Sequence, residues 1–119
     1  MLKFESVVLS QQLLVVVNAA LAALLGSAIG WERDRAGKSV GPRTMALVGA
    51  SAAAIVNIGQ ILDANAQLGD PTRALHAIMT GIGFLGAGLI FQTRDSGTKG
   101  VTTAATVFAT AAMGCAVGL

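Results

Sequence analysis

Charged residues divide the chain into four long uncharged runs, and this pattern predicts the architecture. The runs contain 26, 19, 20 and 20 residues, at 6–31, 44–62, 74–93 and 100–119. A helix that rises about 1.5 Å per residue needs roughly 20 residues to cross about 30 Å of hydrocarbon. Soluble helices have a charged face, which these runs lack. We therefore predict an all-α membrane protein with four transmembrane helices in a single domain, residues 1–119. The spans lie at about 7–31, 44–62, 74–92 and 101–119.

The composition excludes several classes of function. Of the residues, 54% are hydrophobic and 12% are charged, with one cysteine and one histidine. A disulfide framework and a zinc site built from several cysteines or histidines are therefore excluded. Aromatic residues make up 4% of the chain, too few for a stacking platform that binds single-stranded nucleic acid. Neither Ser51 nor Cys115 has a histidine and a carboxylate in obvious reach. We expect no enzymatic activity, no cofactor, no metal site and no nucleic-acid partner.

The basic residues predict the orientation in the membrane. Six of the eight lysines and arginines lie in the first and third loops, and positive loops stay in the cytoplasm. Both termini are therefore predicted to lie outside. A cleaved signal peptide is the alternative for the first span, with Lys3 as its positive region and small residues at 18–23 as its cleavage site. The apolar run continues past Ala23 to Trp31, which favours a retained span that ends at an interfacial tryptophan.

The third span contains four glycines in eight positions. A match to the dinucleotide-binding fingerprint is rejected, because that motif works between a strand and a helix of a parallel sheet. Two interpretations remain open. The small residues could let another helix approach closely, or the helix could unwind locally and expose backbone groups to a ligand in a cavity. The candidate packing residues are Gly81, Gly83, Gly86, Ala87 and Gly88.

The first loop holds six charges in thirteen residues, at 32–44. Glu32 and Arg43 bracket it, and partial desolvation should favour their pairing with each other or with groups on neighbouring spans. The basic side chains could simply orient the protein and extend to the membrane surface. Alternatively, they could bind an anionic ligand, a lipid head group or an acidic partner. The four basic residues concerned are Arg33, Arg35, Lys38 and Arg43.

A few polar residues lie inside the spans. Asn18 and Asn57 occupy the first and second spans, and threonines at 102, 106 and 110 fall on one face of the fourth. Hydroxyls in a bilayer usually donate to backbone carbonyls or to a neighbouring helix. The alternative is a polar path for ions or water. The absence of aspartate and glutamate deep in the spans argues against a proton relay or a dehydrated cation pathway.

Four short segments, in their order and spacing, carry a family resemblance. They are Gly30-Trp31-Glu32-Arg33, Gly41-Pro42-Arg43-Thr44, Asp70-Pro71-Thr72-Arg73 leading into the glycine-rich span, and Lys99-Gly100-Val101-Thr102-Thr103-Ala104-Ala105. The chain thereby resembles the MgtC/SapB family of bacterial inner-membrane proteins over essentially its whole length. Two positions depart from the family pattern, since Pro42 replaces a leucine and Phe108 stands where a tryptophan is common. Asp70 is expected to cap the third helix, which Pro71 would begin.

The resemblance implies a multi-pass protein of the bacterial inner membrane. It implies a link to growth in low magnesium and, in pathogens, to survival inside host cells, which makes such proteins virulence-associated. It also implies a role in restraining the proton-driven ATP synthase rather than in proven magnesium transport. Because the sequence ends at Leu119, we expect it to lack the fifth span and the cytoplasmic domain of longer members, and no activity of that tail is carried over.

We predict a regulatory or interaction module that binds another membrane protein, with ATP synthase as a candidate. Self-association is also expected, with a dimer favoured, because four short helices rich in glycine and alanine enclose little volume alone. The competing hypothesis is a transporter or channel for magnesium or another small ion or solute, with a wet path along the asparagines and threonines. The candidate partner-binding residues lie at the predicted cytoplasmic ends of the spans: Glu32, Arg33, Arg43, Thr44, Thr102 and Thr103.

Overall fold

A computed structural model describes residues 1–66, 72–92 and 98–119, and within those ranges the chain forms four α-helices without a strand. All four are long and apolar enough to cross a membrane. The predicted all-α architecture of four membrane-spanning helices is therefore confirmed. The expected cap at Asp70 and Pro71 lies outside the described residues. The helices are α1 (Leu2–Arg35), α2 (Pro42–Ala66), α3 (Thr72–Gln92) and α4 (Thr98–Gly118).

The helices extend beyond the uncharged runs from which the spans were predicted. α1 has 34 residues, which is about 51 Å of helix against roughly 30 Å of hydrocarbon. Each uncharged run ends at the first charged residue by definition. The helix continues past that residue, because arginine and glutamate are good helix formers. Glu5 lies in the first turn of α1, and Arg33 and Arg35 lie in its last turn. Helix ends and membrane boundaries therefore differ, and the orientation in the membrane stays a prediction.

The four helices pack unevenly. α2 packs mainly against α1 and α4, whereas α3 packs against α4 and touches α2 little. The Cα atoms fill a flat envelope of 60 × 27 × 16 Å. Two small apolar clusters join the helices: one contains Ala52, Val56, Ile78 and Ala111, and the other contains Val40, Met45 and Val107. As a result, α3 is the least enclosed helix of the bundle.

Glycines bring the backbones of α1, α2 and α4 into direct contact. A Cβ atom on Gly30 would lie 2.5 Å from Pro42 Cα, and one on Gly118 would lie 2.6 Å from the Ala53 carbonyl oxygen. Both distances are too short for a real Cβ atom, so a side chain there would force the helices apart. Three further glycines would each place a Cβ atom too close to a backbone carbonyl oxygen of a neighbouring helix. These are Gly26 against Met45, Gly49 against Ala22, and Gly114 against Gly49.

Candidate functional site at the rim of the bundle

The end of the bundle where α1 ends and where α2 and α4 begin carries most of the predicted site residues. We call this end, residues 30–45 and 100–103, the rim. Arg33, in the last turn of α1, is buried there, with 7% of its surface exposed. Its Nη2 donates a hydrogen bond of 2.5 Å to Oγ1 of Thr103, which is also buried, on α4. Two predicted residues that lie 70 positions apart are thus in contact.

The turn after α1 folds the first loop over the rim. Gly37 has φ = 72°, a left-handed conformation that residues with a Cβ atom rarely adopt. The amide of Lys38 donates to the carbonyl of Arg33, and the amide of Gly37 donates to that of Asp34. This pair of hydrogen bonds is the Schellman motif, a common way to end a helix at a glycine. After this turn the chain returns to α1, and the backbone of residues 41 and 42 packs against Gly30.

The other candidate residues at the rim are exposed. Glu32, Arg43, Thr44 and Thr102 all face outward. Within the described part of the chain, Glu32 and Arg43 form no ion pair with each other, so the structure does not show the pairing expected from desolvation. Instead, the buried cation is Arg33. A sequence pattern cannot separate these two arginines, because both stand beside an apolar span, and helix packing decides which one is enclosed.

The glycine-rich segment of α3 is a continuous helix, not an unwound site. Gly86 is buried, and a Cβ atom there would lie 3.6 Å from the side chain of Ala104 on α4. Gly81, Gly83 and Gly88 have no atom of another element within 4 Å of such a Cβ position, and Ala87 is exposed. Close packing of these residues against a second chain stays a prediction.

A polar contact that the sequence did not predict links three helices. Nδ2 of Asn18 on α1 donates to Oδ1 of Asn57 on α2 over 3.1 Å. Nδ2 of Asn57 donates in turn to the carbonyl of Gly118 on α4 over 2.5 Å. Asn57 is 4% exposed. Both asparagines stood out in the sequence as polar residues within apolar spans, but their pairing depends on the register of the helices.

The threonines of α4 are bonded within the bundle. Thr106 donates to the carbonyl of Thr102, and Thr110 donates to that of Thr106, both over 2.8 Å. The Thr110 hydroxyl is fully buried and also lies 3.5 Å from Sδ of Met45. These contacts correspond to the first interpretation of the threonine row, in which hydroxyls bond to the backbone one turn earlier.

The described residues contain no cluster of three or more histidine, cysteine, aspartate or glutamate side chains that could hold a metal ion. Cys115 is a free thiol on α4 and lines an apolar groove between α3 and α4. The rim instead presents a buried guanidinium, that of Arg33, beside the hydroxyl of Thr103. Chemistry that needs a carboxylate cluster has no candidate site in the described ranges.

The fold and this site define a multi-pass helical membrane protein with a cationic rim. The MgtC family profile matches residues 19–119, and the chain belongs to the MgtC family. Protein MgtC of Brucella abortus is 41% identical over 100 residues, covering 82% of this chain. YhiD of Escherichia coli strain K12, whose name includes the words magnesium transporter, is 36% identical over 108 residues and 87% of this chain. Protein SrpB of Synechococcus elongatus is 39% identical over 108 residues and 82% of this chain.

These relatives are longer than the chain. The matched regions cover 40% of the Brucella MgtC protein, 50% of YhiD and 59% of SrpB. The chain thus spans about half the length of the curated relatives it matches. No solved structure matches the chain.

Proposed function

We propose that this chain is an MgtC-type protein of the bacterial inner membrane that supports adaptation to low magnesium by binding another membrane protein. The proton-driven ATP synthase is the candidate partner suggested by the family resemblance, and a homodimer is the favoured assembly. Family membership and the names of the relatives support the coarse part of this proposal. The proposed role as an interaction module is supported by the hydrogen bonds that the polar side chains of the spans form within the bundle.

The observation that carries the proposal is the internal pairing of polar side chains inside the spans. Asn57 donates to one partner and accepts from another, both within the bundle. The Thr110 hydroxyl is completely enclosed. A pathway for a hydrated ion needs polar groups that face a cavity. Asn57 is instead used to hold three helices together, and the Thr110 hydroxyl donates to the backbone of its own helix.

Two grooves beside α3 are apolar, whereas a groove of about 470 Å³ between α1 and α2 includes Gln11 and Gln12 in its lining. One of about 400 Å³ separates α2 from α3, and one of about 320 Å³ separates α3 from α4. Ser51 is the polar side chain of the first groove, and Cys115 is that of the second. Grooves of this kind suit lipid chains or apolar side chains of another protein better than ions. The first groove is lined mainly by Leu47, Val48, Ile55, Ile78, Ile82 and Leu85.

The exposed glycines of α3 support association with another embedded helix. In hydrocarbon, helices associate through close packing of small residues, since lipid chains are as apolar as leucine. Within one copy of the chain, no neighbouring atom lies within 4 Å of where a Cβ atom would be on Gly81, Gly83 or Gly88. Gly81 and Gly88 share one face of α3, and Gly83 lies near the opposite face, because successive residues are about 100° apart around a helix. A helix from a second copy or from a partner protein would fill the space at one of these faces.

Magnesium transport is the second candidate, and the name of the Escherichia coli relative is the observation that favours it. The carboxylates of the described residues lie outside the four uncharged runs. Magnesium prefers oxygen ligands and retains several waters, so a path through this chain would have to be wide and polar. The two apolar grooves beside α3 do not offer such a path, and the lining of the groove between α1 and α2 includes two glutamines but no carboxylate.

Complementation in low magnesium tests the proposal. Arg43→Ala removes an exposed cation in the first turn of α2, so the bundle should still fold. We expect it to abolish growth of a deletion strain in low magnesium and to abolish cross-linking to the partner, at unchanged membrane levels. Arg73→Ala is the control, because it removes an exposed cation at the opposite end of the bundle. Unchanged growth with Arg43→Ala would contradict the assignment.

A further inference from the structure

The charge of Arg33 lacks a matching negative charge among the described residues. Its Nε is fully enclosed and has no hydrogen-bond partner. Its side-chain hydrogen bond goes from Nη2 to the neutral hydroxyl of Thr103. A guanidinium has five N–H donors, and the one on Nε is buried here without an acceptor. A buried cation with one neutral acceptor is unfavourable, which indicates that an anion completes the site.

The nearest carboxylates along the chain do not supply this anion. Glu32 and Asp34 flank Arg33 on α1, but both are exposed and neither pairs with it. A long cationic side chain at the end of a span usually extends toward water. Arg33 does the opposite and is buried against Thr103 of α4.

The surroundings of Arg33 favour a phosphate group. Thr103 lies in the second turn of α4, and the first turn of that helix has no acidic residue. The positive end of a helix dipole attracts anions. Arg35 and Arg43 add exposed positive charge at the same rim. The planar guanidinium fits two phosphate oxygens at once, and basic sites between helices at a membrane surface bind lipid head groups.

We propose that Arg33 and Thr103 form the floor of a phosphate-binding site at the rim. Nε and one Nη of Arg33 donate to two phosphate oxygens, and the remaining oxygens face the exposed cations. The phosphate belongs either to a lipid head group or to a free anion. Because Nε is enclosed by protein, binding requires the side chain of Arg33 or the groups that cover it to move. The site goes beyond the proposed function and does not depend on a protein partner.

Trp31 provides a reporter for this movement. It is the single tryptophan of the chain, and its ring lies 4.9 Å from Cζ of Arg35, close to the loop. The experiment uses the protein in dodecyl maltoside, a detergent without phosphate, and follows tryptophan fluorescence. One titration uses inorganic phosphate, and another uses short-chain phosphatidylglycerol. Diacylglycerol with the same acyl chains and sodium chloride at matched ionic strength are the reference titrations.

We expect a saturable change with phosphatidylglycerol, with inorganic phosphate, or with both, and none with the reference compounds. A response to the lipid alone assigns a head group, and a response to inorganic phosphate alone assigns a free anion. Arg33→Gln should weaken binding at least about tenfold, because it removes a bidentate donor. Arg73→Gln, the control, removes an exposed charge at the opposite end of the bundle and should leave binding unchanged.

Circular dichroism checks that Arg33→Gln keeps its helices. If it does not fold, Thr103→Val replaces it as the test variant and should weaken binding several-fold. The proposal is overturned if neither phosphate compound changes the fluorescence of the wild-type protein, or if a folded Arg33→Gln binds as tightly. Loss of the oligomer in Arg33→Gln without any phosphate binding would also overturn it, since a carboxylate of another copy would then be the missing anion.

Discussion

The side-chain amide of Asn18 donates a hydrogen bond to the side-chain oxygen of Asn57, 39 positions along the chain. The side-chain amide of Asn57 donates a second hydrogen bond to the backbone carbonyl of Gly118. One buried amide group thus joins α1, α2 and α4. In hydrocarbon no water can replace such partners, so this contact fixes the relative register of three helices as well as stabilising them.

Asn57→Leu tests the strength of this link. The variant leaves the amide of Asn18 and the carbonyl of Gly118 unpaired, so the free energy of unfolding should fall by about 1–3 kcal/mol. Unfolding in a titration with sodium dodecyl sulfate, followed by circular dichroism, measures it. Ser51→Ala is the control, since Ser51 is exposed on α2. A loss no larger than that of the control would show that the asparagine link contributes little.

Gly26→Ala tests the backbone contact between α1 and α2. The new Cβ atom would overlap the carbonyl of Met45, and the helices would have to separate, which should cost about 1–3 kcal/mol of the free energy of unfolding. Gly88→Ala is the matched control, because a Cβ atom there meets nothing within 4 Å. It should leave stability unchanged or raise it by up to about 1 kcal/mol through helix propensity. Equal effects of the two substitutions would contradict the packing described for α1 and α2.

Gly83→Leu tests association through α3. Gly83 has open space around it within one copy, so a leucine should leave folding intact while it prevents another helix from approaching. We expect the fraction of dimer in lipid vesicles, counted by single-molecule photobleaching, to fall at least about tenfold, a loss of 1.4 kcal/mol. Ala20→Leu enlarges an exposed small residue on α1 and should leave the dimer unchanged. An unchanged dimer with Gly83→Leu would rule out this face of α3 as the interface.

Gly37→Ala tests the turn over the rim. Because Gly37 has φ = 72°, an alanine there should cost about 1–2 kcal/mol of the free energy of unfolding. Gly41→Ala is the control in the same loop, since Gly41 has no positive φ and a Cβ atom there meets nothing within 4 Å. Comparison of the two variants by the same unfolding titration isolates the effect of backbone conformation. Similar stabilities would show that the turn can change shape at little cost.

The sequence was sufficient to predict the four helices because a bilayer requires long uncharged runs and tolerates little else. Each predicted span falls within one helix, except for Leu119 at the last position. At six of the eight ends the predicted bound falls short of the helix end, because charge does not terminate a helix. Arg33 and Arg35 continue α1 beyond its tryptophan, and Gly37 then ends it.

The tertiary contacts were harder to predict. The clustered glycines of α3 drew attention, but the close backbone contacts among the described residues use glycines on α1, α2 and α4, including the pairs Gly26/Gly30 and Gly114/Gly118. The spacing of four residues within each pair is a signal for a close helix–helix face, but it does not say which helix packs there. Likewise, the pairing of Arg33 with Thr103 depends on how α1 and α4 align. The family resemblance pointed to both segments without indicating that they touch.

Magnesium flux into reconstituted vesicles tests the central claim most directly, namely that the polar groups of the spans hold the bundle together and that the protein acts by association. Vesicles loaded with a magnesium-sensitive dye, with the purified chain at known density, would be compared with empty vesicles. We expect flux no greater than in the empty vesicles. A saturable magnesium flux that is lost in Gly83→Leu or in folded Asn57→Leu would contradict the account.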